Sequence, residues 1–358
     1  MKCFKIILGA ICLFILFFSV SCCKRSSPKE EISAQMKWIS KYDFFDLYKK
    51  NINNGNFGPE TGLKLTILKF LDEKTIFLAG SKDLHSFYNK PGYAAVLFLS
   101  TDKGKNYKEI TFPEETVTFI TPSEKYTLIE TSSGGNSQSG KVVLYLLNNH
   151  TLEYNKIDEY ATKSKIMYSQ FNGENVVYSE NDNQKILNLL TKEEIELPEY
   201  LRKIPFILKK DNTVASLLKD EIQEYNLKTK EQKVIKKLKS NYDVLYYENE
   251  EYLLGKSGTF KTEMTIYNQN ESELFVENEK TIDYYRYRNF ACYFKETRPY
   301  VTFYYSYNYG KTWNEYHTKD FFTTTIPKGF YKDQLIVLDV GFYNRNDNSH
   351  ILVGEFQK

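Results

Sequence analysis

The stretch YYSYNYGKTWNEY, residues 304–316, sets a polar, glycine-centred bend between two aromatic runs. A looser copy, FLSTDKGKNYKEI, occupies residues 98–110. The residue types explain the bend. An Asp or Asn side chain takes nearby backbone N–H groups and stabilises a tight turn. Glycine accepts the left-handed backbone geometry that a side chain opposes. The aromatic that follows is placed to pack back against a sheet. Each bend therefore reads as a hairpin turn, with apolar strands running into and out of it.

Working outward, the chain is written for strands. Its 30 Tyr and 25 Phe, with Val, Ile and Thr, fit a pleated, half-buried surface. Short apolar runs alternate with Asn, Asp, Gly and Lys clusters, the hairpin signature: LTILKFL, KTIFLAG and AAVLFLS, then VTFITP, YTLIET and KVVLYLL, and so on to the C-terminus. The best short helical candidate is YDFFDLYKKNI, residues 42–52. The runs group at roughly 35–45 residues, the period of propeller blades: 62–112, 115–157, 165–197, 203–238, 241–277, 281–319 and 323–357. The last group has only three clear strands. MKWIS, residues 36–40, is placed to complete it and join the ends of a ring, which protects edges that an open stack leaves exposed. The expected fold is all-β, a β-propeller of seven blades over residues 37–358, with six or eight blades as alternatives.

The two bends resemble the Asp-box, or BNR repeat, of sialidase-like propellers: Ser or Thr, any, Asp, any, Gly, any, Ser or Thr, then an aromatic. Ser306, Asn308, Gly310, Thr312 and Trp313 match with Asn in place of Asp. In the looser copy, running from Ser100 to Tyr107, Ser100, Asp102 and Gly104 match, with Asn106 and Tyr107 as departures. The resemblance implies that the box lies on the hairpin joining the outer strands, away from the ligand-binding central face. These residues are then expected to be structural. Sialidases of the family add an Arg-Ile-Pro motif, three arginines that grip a carboxylate, a Tyr–Glu pair and an acid/base. Here RKIPF, residues 202–206, carries an inserted Lys203 and sits in mid-chain. Arg286, Arg288 and Arg298 fall within one expected blade, whereas the family's grip draws on separate blades. Arg286 and Arg288 alternate with Tyr285 and Tyr287, so a rim binding patch on one strand face is an alternative to solvated strand charges.

The N-terminus reads as a processing segment. Lys2 and Lys5 precede an apolar run, Ile6 to Phe18, and small residues Ser19-Val20-Ser21 precede Cys22. The arrangement resembles the bacterial lipobox, which implies a signal peptide over 1–21 and a lipid such as palmitate on Cys22, with Cys23 as the alternative. The apolar core is short for a bilayer-spanning helix, while acyl chains anchor without one. Residues 22–36 are a polar tether containing Pro28. No Asp follows Cys22, so the resemblance points to the outer membrane facing the periplasm, with surface exposure as the alternative.

Removing Lys2 and Lys5 brings the 48 Lys+Arg level with the 46 Asp+Glu. That balance gives no electrostatic reason to bind nucleic acid. Beyond the leader and Cys22–Cys23 the chain has one cysteine, Cys292, so no disulfide framework is expected. GNSQSGKV, residues 135–142, has phosphate-loop spacing, but a strand rather than a helix follows its lysine. His85, His150, His317 and His350 lack metal-ligand spacing, and no cofactor or metal is expected. Glu114-Glu115 and Glu193-Glu194 read as loop or turn charges.

The function expected is that of a non-catalytic envelope lipoprotein whose propeller rim binds a protein partner, in an assembly or toxin-immunity role. The alternative is a glycan-binding protein or sialidase-like glycoside hydrolase. The loops at 81–93 and 132–140 are the expected docking places, and the tyrosine runs at 284–287 and 303–309 serve either an interface or sheet packing.

Overall fold

Strand formation follows the alternation of side chains. In LKLTILKF the residues Leu63 and Leu65 are buried while Lys64 and Thr66 are exposed, as a pleated ribbon with one face inward requires. The computed structural model describes residues 36–44, 62–84, 91–134, 140–161, 166–181, 183–238, 242, 244–248, 251–257, 262–267, 285–297, 300–308, 312–317, 325–340 and 350–357.

The first strand, β1 (Met36–Asp43), is followed by β2 (Leu63–Phe70), β3 (Ile76–Asp83), β4 (Tyr93–Ser100) and β5 (Lys108–Phe112), which make the first blade in the order β2-β3-β4-β5. The second blade is β6 (Thr116–Pro122), β7 (Tyr126–Ser133), β8 (Lys141–Asn148) and β9 (Tyr154–Ala161). The third is β10 (Ile166–Phe171), β11 (Asn175–Glu180), β12 (Asn183–Asn188) and β13 (Glu194–Ile195). A short helix, α1 (Glu199–Lys203), leads to the fourth: β14 (Phe206–Leu208), β15 (Thr213–Leu218), β16 (Glu221–Asn226) and β17 (Gln232–Lys237). The fifth has three described strands, β18 (Val244–Glu248), β19 (Glu251–Ser257) and β20 (Thr262–Tyr267). The sixth is β21 (Tyr285–Tyr287), β22 (Phe290–Thr297), β23 (Tyr300–Ser306) and β24 (Asn314–His317). The seventh combines β25 (Thr325–Tyr331), β26 (Leu335–Val340) and β27 (His350–Phe356) with β1 as its outermost strand.

The described pairings are antiparallel, and within each sheet consecutive strands form a meander, β1 beside β27 excepted; consecutive blades meet along their inner strands, β2 with β6, β6 with β10, β10 with β14, β14 with β18. The molecule is a β-propeller, and among the described residues each of the seven segments read from the sequence contributes one sheet. The N-terminal strand does close the last sheet, with Met36 opposite Phe356 and Asp43 opposite His350. The core is divided between blades. Phe44, Leu65, Leu78 and Phe98 pack with Leu335, Val337 and Val353 across the seam of blades seven and one. Phe290, Cys292, Phe303 and Tyr305 pack with Ile336, Leu338 and Leu352 between blades six and seven.

Two expectations change, those for the helical candidate and for Glu114, and RKIPF finds its place. Tyr42 and Asp43, the start of the helical candidate, belong to β1 because they pair with Ile351 and His350; residues 45–52 lie outside the described residues. Arg202 and Lys203 of RKIPF sit on α1, where the Arg202 Nε donates to the Leu197 carbonyl at 3.0 Å. Glu114 is no solvated loop charge. It is buried, and accepts hydrogen bonds from Thr131 Oγ1 at 2.9 Å and the Tyr145 hydroxyl at 3.0 Å, which offsets the cost of burying a carboxylate.

The winding gives the ring two unlike ends. In a meander, the connections after the first and third strands leave one end, and those after the second and fourth leave the other. The first set is tight turns, such as residues 71–75, 123–125, 209–212, 288–289 and 332–334. The second set holds the long connections 44–62, 84–92, 134–140, 196–205, 318–324 and 341–349. The described chain enters at Met36, at the turn end of the seventh blade.

Candidate functional site

The two Gly-centred bends join third to fourth strands, β4 to β5 and β23 to β24, on the outer half of their blades. In the first, Ser100 Oγ donates to Asp102 Oδ1 at 2.8 Å and accepts from the Gly104 N–H at 2.8 Å. Asp102 also accepts from the Asn106 backbone and side chain at 2.9 and 2.7 Å. In the second, Ser306 Oγ donates to Asn308 Oδ1 at 2.8 Å, and Asn308 bonds the Thr312 N–H at 2.9 Å and the Thr312 hydroxyl at 2.8 Å. Asn106 and Thr312 therefore do the same work. Gly310 lies outside the described residues.

The first bend is also a clamp between blades. The Lys103 carbonyl accepts from Ser40 Oγ of β1 at 2.9 Å, and Lys103 Nζ pairs with Glu355 of β27 at 3.2 Å. The Tyr107 ring sits edge-on to Tyr42, centroids 4.8 Å apart. Trp313 meets Tyr293 edge-on at 4.8 Å. Burial tends to raise the Asp102 carboxyl, but the Asn106, Ser100 and Lys105 hydrogen bonds outweigh it and hold the carboxyl below its usual range. A lowered folded value means that this contribution is complete above about pH 4, the unfolded value, and is lost as pH falls through the folded one. Asp102→Asn, the residue the second bend already uses, is expected to remove this component from an acid-unfolding curve while keeping the turn; a superimposable acid limb would refute it.

Burial followed by the charge of Asp102 and the nearby Tyr42 pushes the Tyr107 hydroxyl well above its ordinary value, and that oxygen is buried with no hydrogen-bond partner among the described residues. An unsatisfied buried hydroxyl costs about 1–3 kcal/mol. Tyr107→Phe is therefore expected to leave the urea midpoint unchanged or to raise stability by about 1 kcal/mol.

Of the expected arginine patch, Arg288 does not lie on the strand face on which it was read. Arg288 is in the turn after β21, at φ +52°, and not on a strand face. Arg298 and the Arg286 side chain lie outside the described residues. Lys332, at φ +51° in the equivalent turn of the seventh blade, approaches the same ring as Arg288. Arg288 Cζ is 5.3 Å and Lys332 Nζ 6.0 Å from the centroid of the same ring, Tyr287. Each follows a tyrosine in sequence, Tyr287-Arg288 and Tyr331-Lys332, a parallel that sequence reading could have caught.

Other expected residues are placed singly. His150 is in an exposed turn, while His85 and the side chains of His317 and His350 are outside the described residues. Cys22 and Cys23 are outside them too. Cys292 is fully buried, and burial raises its thiol far above the usual value, so it is chemically quiet. Glu194 pairs with Lys185 at 3.4 Å. Tyr285 stacks on Phe330 at 4.6 Å, and Tyr305 is buried, so these members of the tyrosine runs pack the core. Of the two expected docking loops, residues 81–83 and 93 are strand, as are 132 and 133, and the connections between them leave the loop end.

One repeat escaped the sequence reading. Asn148–Glu153, Asn188–Glu193 and Asn226–Glu231 share the spacing N-x-x-T-x-E and make the third turn of blades two to four. In each, the Asn side chain accepts two backbone N–H bonds, and the N–H of the fifth residue bonds the Asn carbonyl. The signal was that spacing.

No protein-family model matches the sequence, and no curated protein aligns with it significantly. Among solved structures, the chain is similar to the β-propeller domain of the Trilobed protease from Pyrococcus furiosus, with a TM-score of 0.49, 12% identity, and coverage of 82% of this chain and 99% of that one. It is similar to the acylaminoacyl peptidase of Pyrococcus horikoshii, with a TM-score of 0.47, 13% identity, and coverage of 78% of this chain and 50% of that one. The likeness concerns the fold.

Proposed function

We propose that this protein is a lipid-anchored envelope propeller that binds a protein partner through its loop end, in an assembly or immunity type of role, and that its Gly-centred bends are scaffold. The observation that carries the reading is the unlike pair of ends: tight, internally hydrogen-bonded turns at one, the long connections at the other. A rigid frame with long loops gathered on one side suits recognition. Tyr93, 56% exposed where β4 begins at that end, supplies the kind of ring on which interfaces anchor.

The test is cross-linking and affinity recovery of the full chain from envelope extracts, beside a Tyr93→Ala variant. One stoichiometric protein partner is expected, with recovery reduced about tenfold by the substitution. Turnover of sialosides by the purified chain, with no protein recovered, would replace this reading with the glycoside-hydrolase alternative.

A further inference from the structure

The turn between β10 and β11 is Asn172-Gly173-Glu174, and it touches the blades on both sides. Gly173, at φ +105°, lies against the second blade, where a Cβ would stand 2.9 Å from the Ser123 Oγ. Toward the fourth blade, Asn172 Nδ2 donates to the Lys209 carbonyl at 3.0 Å and to Asn212 Oδ1 at 2.8 Å. Buried Asn175 donates to the same Asn212 oxygen at 2.7 Å. The Asn172 amide nitrogen is thus an inter-blade donor that faces two acceptors.

In Asn-Gly the side-chain amide is open to the following backbone nitrogen, because glycine has no side chain to screen it. Only the Asn172 Cβ, Cα and carbonyl carbon separate that nitrogen from Cγ, so the attack is intramolecular and no second molecule has to be positioned. The turn adds activation. Asn172 Oδ1 accepts the Glu174 N–H at 3.2 Å and the Asn175 N–H at 2.9 Å, two donors aimed at the oxygen on which charge develops when Cγ is attacked.

We propose that Asn172-Gly173 is a site of spontaneous deamidation, and that its products unfasten the third blade from the fourth. The Gly173 nitrogen bonds to Asn172 Cγ, the Cγ–Nδ2 bond breaks, and the Gly173 proton leaves with Nδ2 as ammonia, closing a succinimide. Water then opens the ring: addition at Cγ leaves aspartate, and addition at the backbone carbonyl leaves isoaspartate. Both products lose the Nδ2 donor, so the Lys209 carbonyl and Asn212 Oδ1 lose that partner. Both also gain a carboxylate in the same turn as Glu174, which already accepts from Asn188 Nδ2 at 2.9 Å. This chemistry does not rest on the partner-binding reading.

The full purified chain would be aged at mildly alkaline pH, folded and, in parallel, unfolded in urea. Peptide mass spectrometry and isoaspartyl methyltransferase labelling would follow each asparagine. Asn172 is expected to convert at least as fast folded as unfolded. The fraction converted at position 172, separated by ion exchange, is expected to exchange the Leu189 and Leu227 amides about tenfold faster than unreacted protein. Those amides bond the Glu174 and Asn212 carbonyls at 2.9 and 3.0 Å. Asn172→Asp is expected to show the same acceleration without ageing, and the aged fraction gives the reading by itself if that variant fails to fold. Suppression of conversion at Asn172 by folding overturns the site, whatever the other Asn-Gly pair, Asn54-Gly55, does. Unchanged exchange of both amides in the converted fraction overturns the unfastening.

Discussion

Gly80→Ala is expected to destabilise the protein by roughly 4 kcal/mol or more, because the clash is with backbone rather than with a side chain that can swing away. The register between β2 and β3 slips at a bulge: Leu65 faces Gly80, but Ile67 faces Ala79. The extra residue, Thr66, pushes the β2 backbone toward β3 at this point. A Cβ on Gly80 would overlap the Lys64 carbonyl oxygen and lie 3.0 Å from the Leu65 Cα. Relief requires the innermost pair of strands to separate, and the neighbours Leu63, Leu65, Ile76 and Leu78 are all buried in the seam that joins the first and seventh blades. With a whole domain worth about 5–15 kcal/mol, the expected readout is a collapse of soluble yield or a urea midpoint far below that of the parent. A midpoint within experimental error of the parent would show that the bulge relaxes and that the strand spacing is not fixed by the seam.

Gly104→Ala is expected to cost about 3 kcal/mol, for two separable reasons. Gly104 sits at φ +78°, where a side chain costs about 1–2 kcal/mol. Its Cβ would also stand 2.7 Å from Val353 Cγ2, 2.9 Å from the Tyr107 hydroxyl and 3.1 Å from Ser40 Oγ, and overpacking of this kind costs about 1–3 kcal/mol. Val353 and Ser40 belong to the two strands that close the ring, so the strain falls on the closure. Hydrogen exchange should accelerate first in β1, ahead of the third and fourth blades. Uniform acceleration across all blades would mean that the bend acts on the global fold and not on the seam. Paired with Tyr107→Phe, which removes one of the three contacts, the alanine variant should recover part of the loss.

The architecture was legible because it is local. Aromatic and β-branched runs recur at blade spacing, and MKWIS supplies the missing strand of the last group, which pairs as β1 with β27. The turn at Ser100–Tyr107 was legible because Asp and Gly have few other uses at that spacing. A reading keyed to glycine passes over the N-x-x-T-x-E turns, where Leu152, Lys192 and Lys230 occupy the left-handed position and the Asn side chain stabilises the bend instead. Those turns were written in the sequence all the same.

Contacts across blades were a different matter. Nothing adjacent to Glu114 in sequence announces that hydroxyls of Thr131 and Tyr145 will meet it in the interior, and nothing beside Gly80 shows the carbonyl of Lys64 approaching. Arg288 looked like the partner of Arg286 and Arg298, its neighbours in the chain, yet it shares a ring with Lys332 from the next blade. Sequence alone determined which segments are strands, where they turn and that they close, because backbone propensity and side-chain alternation act over a few residues. Tertiary structure decided which side chains meet, because packing twisted sheets around a ring sets inter-blade distances through shape, and residues far apart in the chain are brought face to face only once that shape exists.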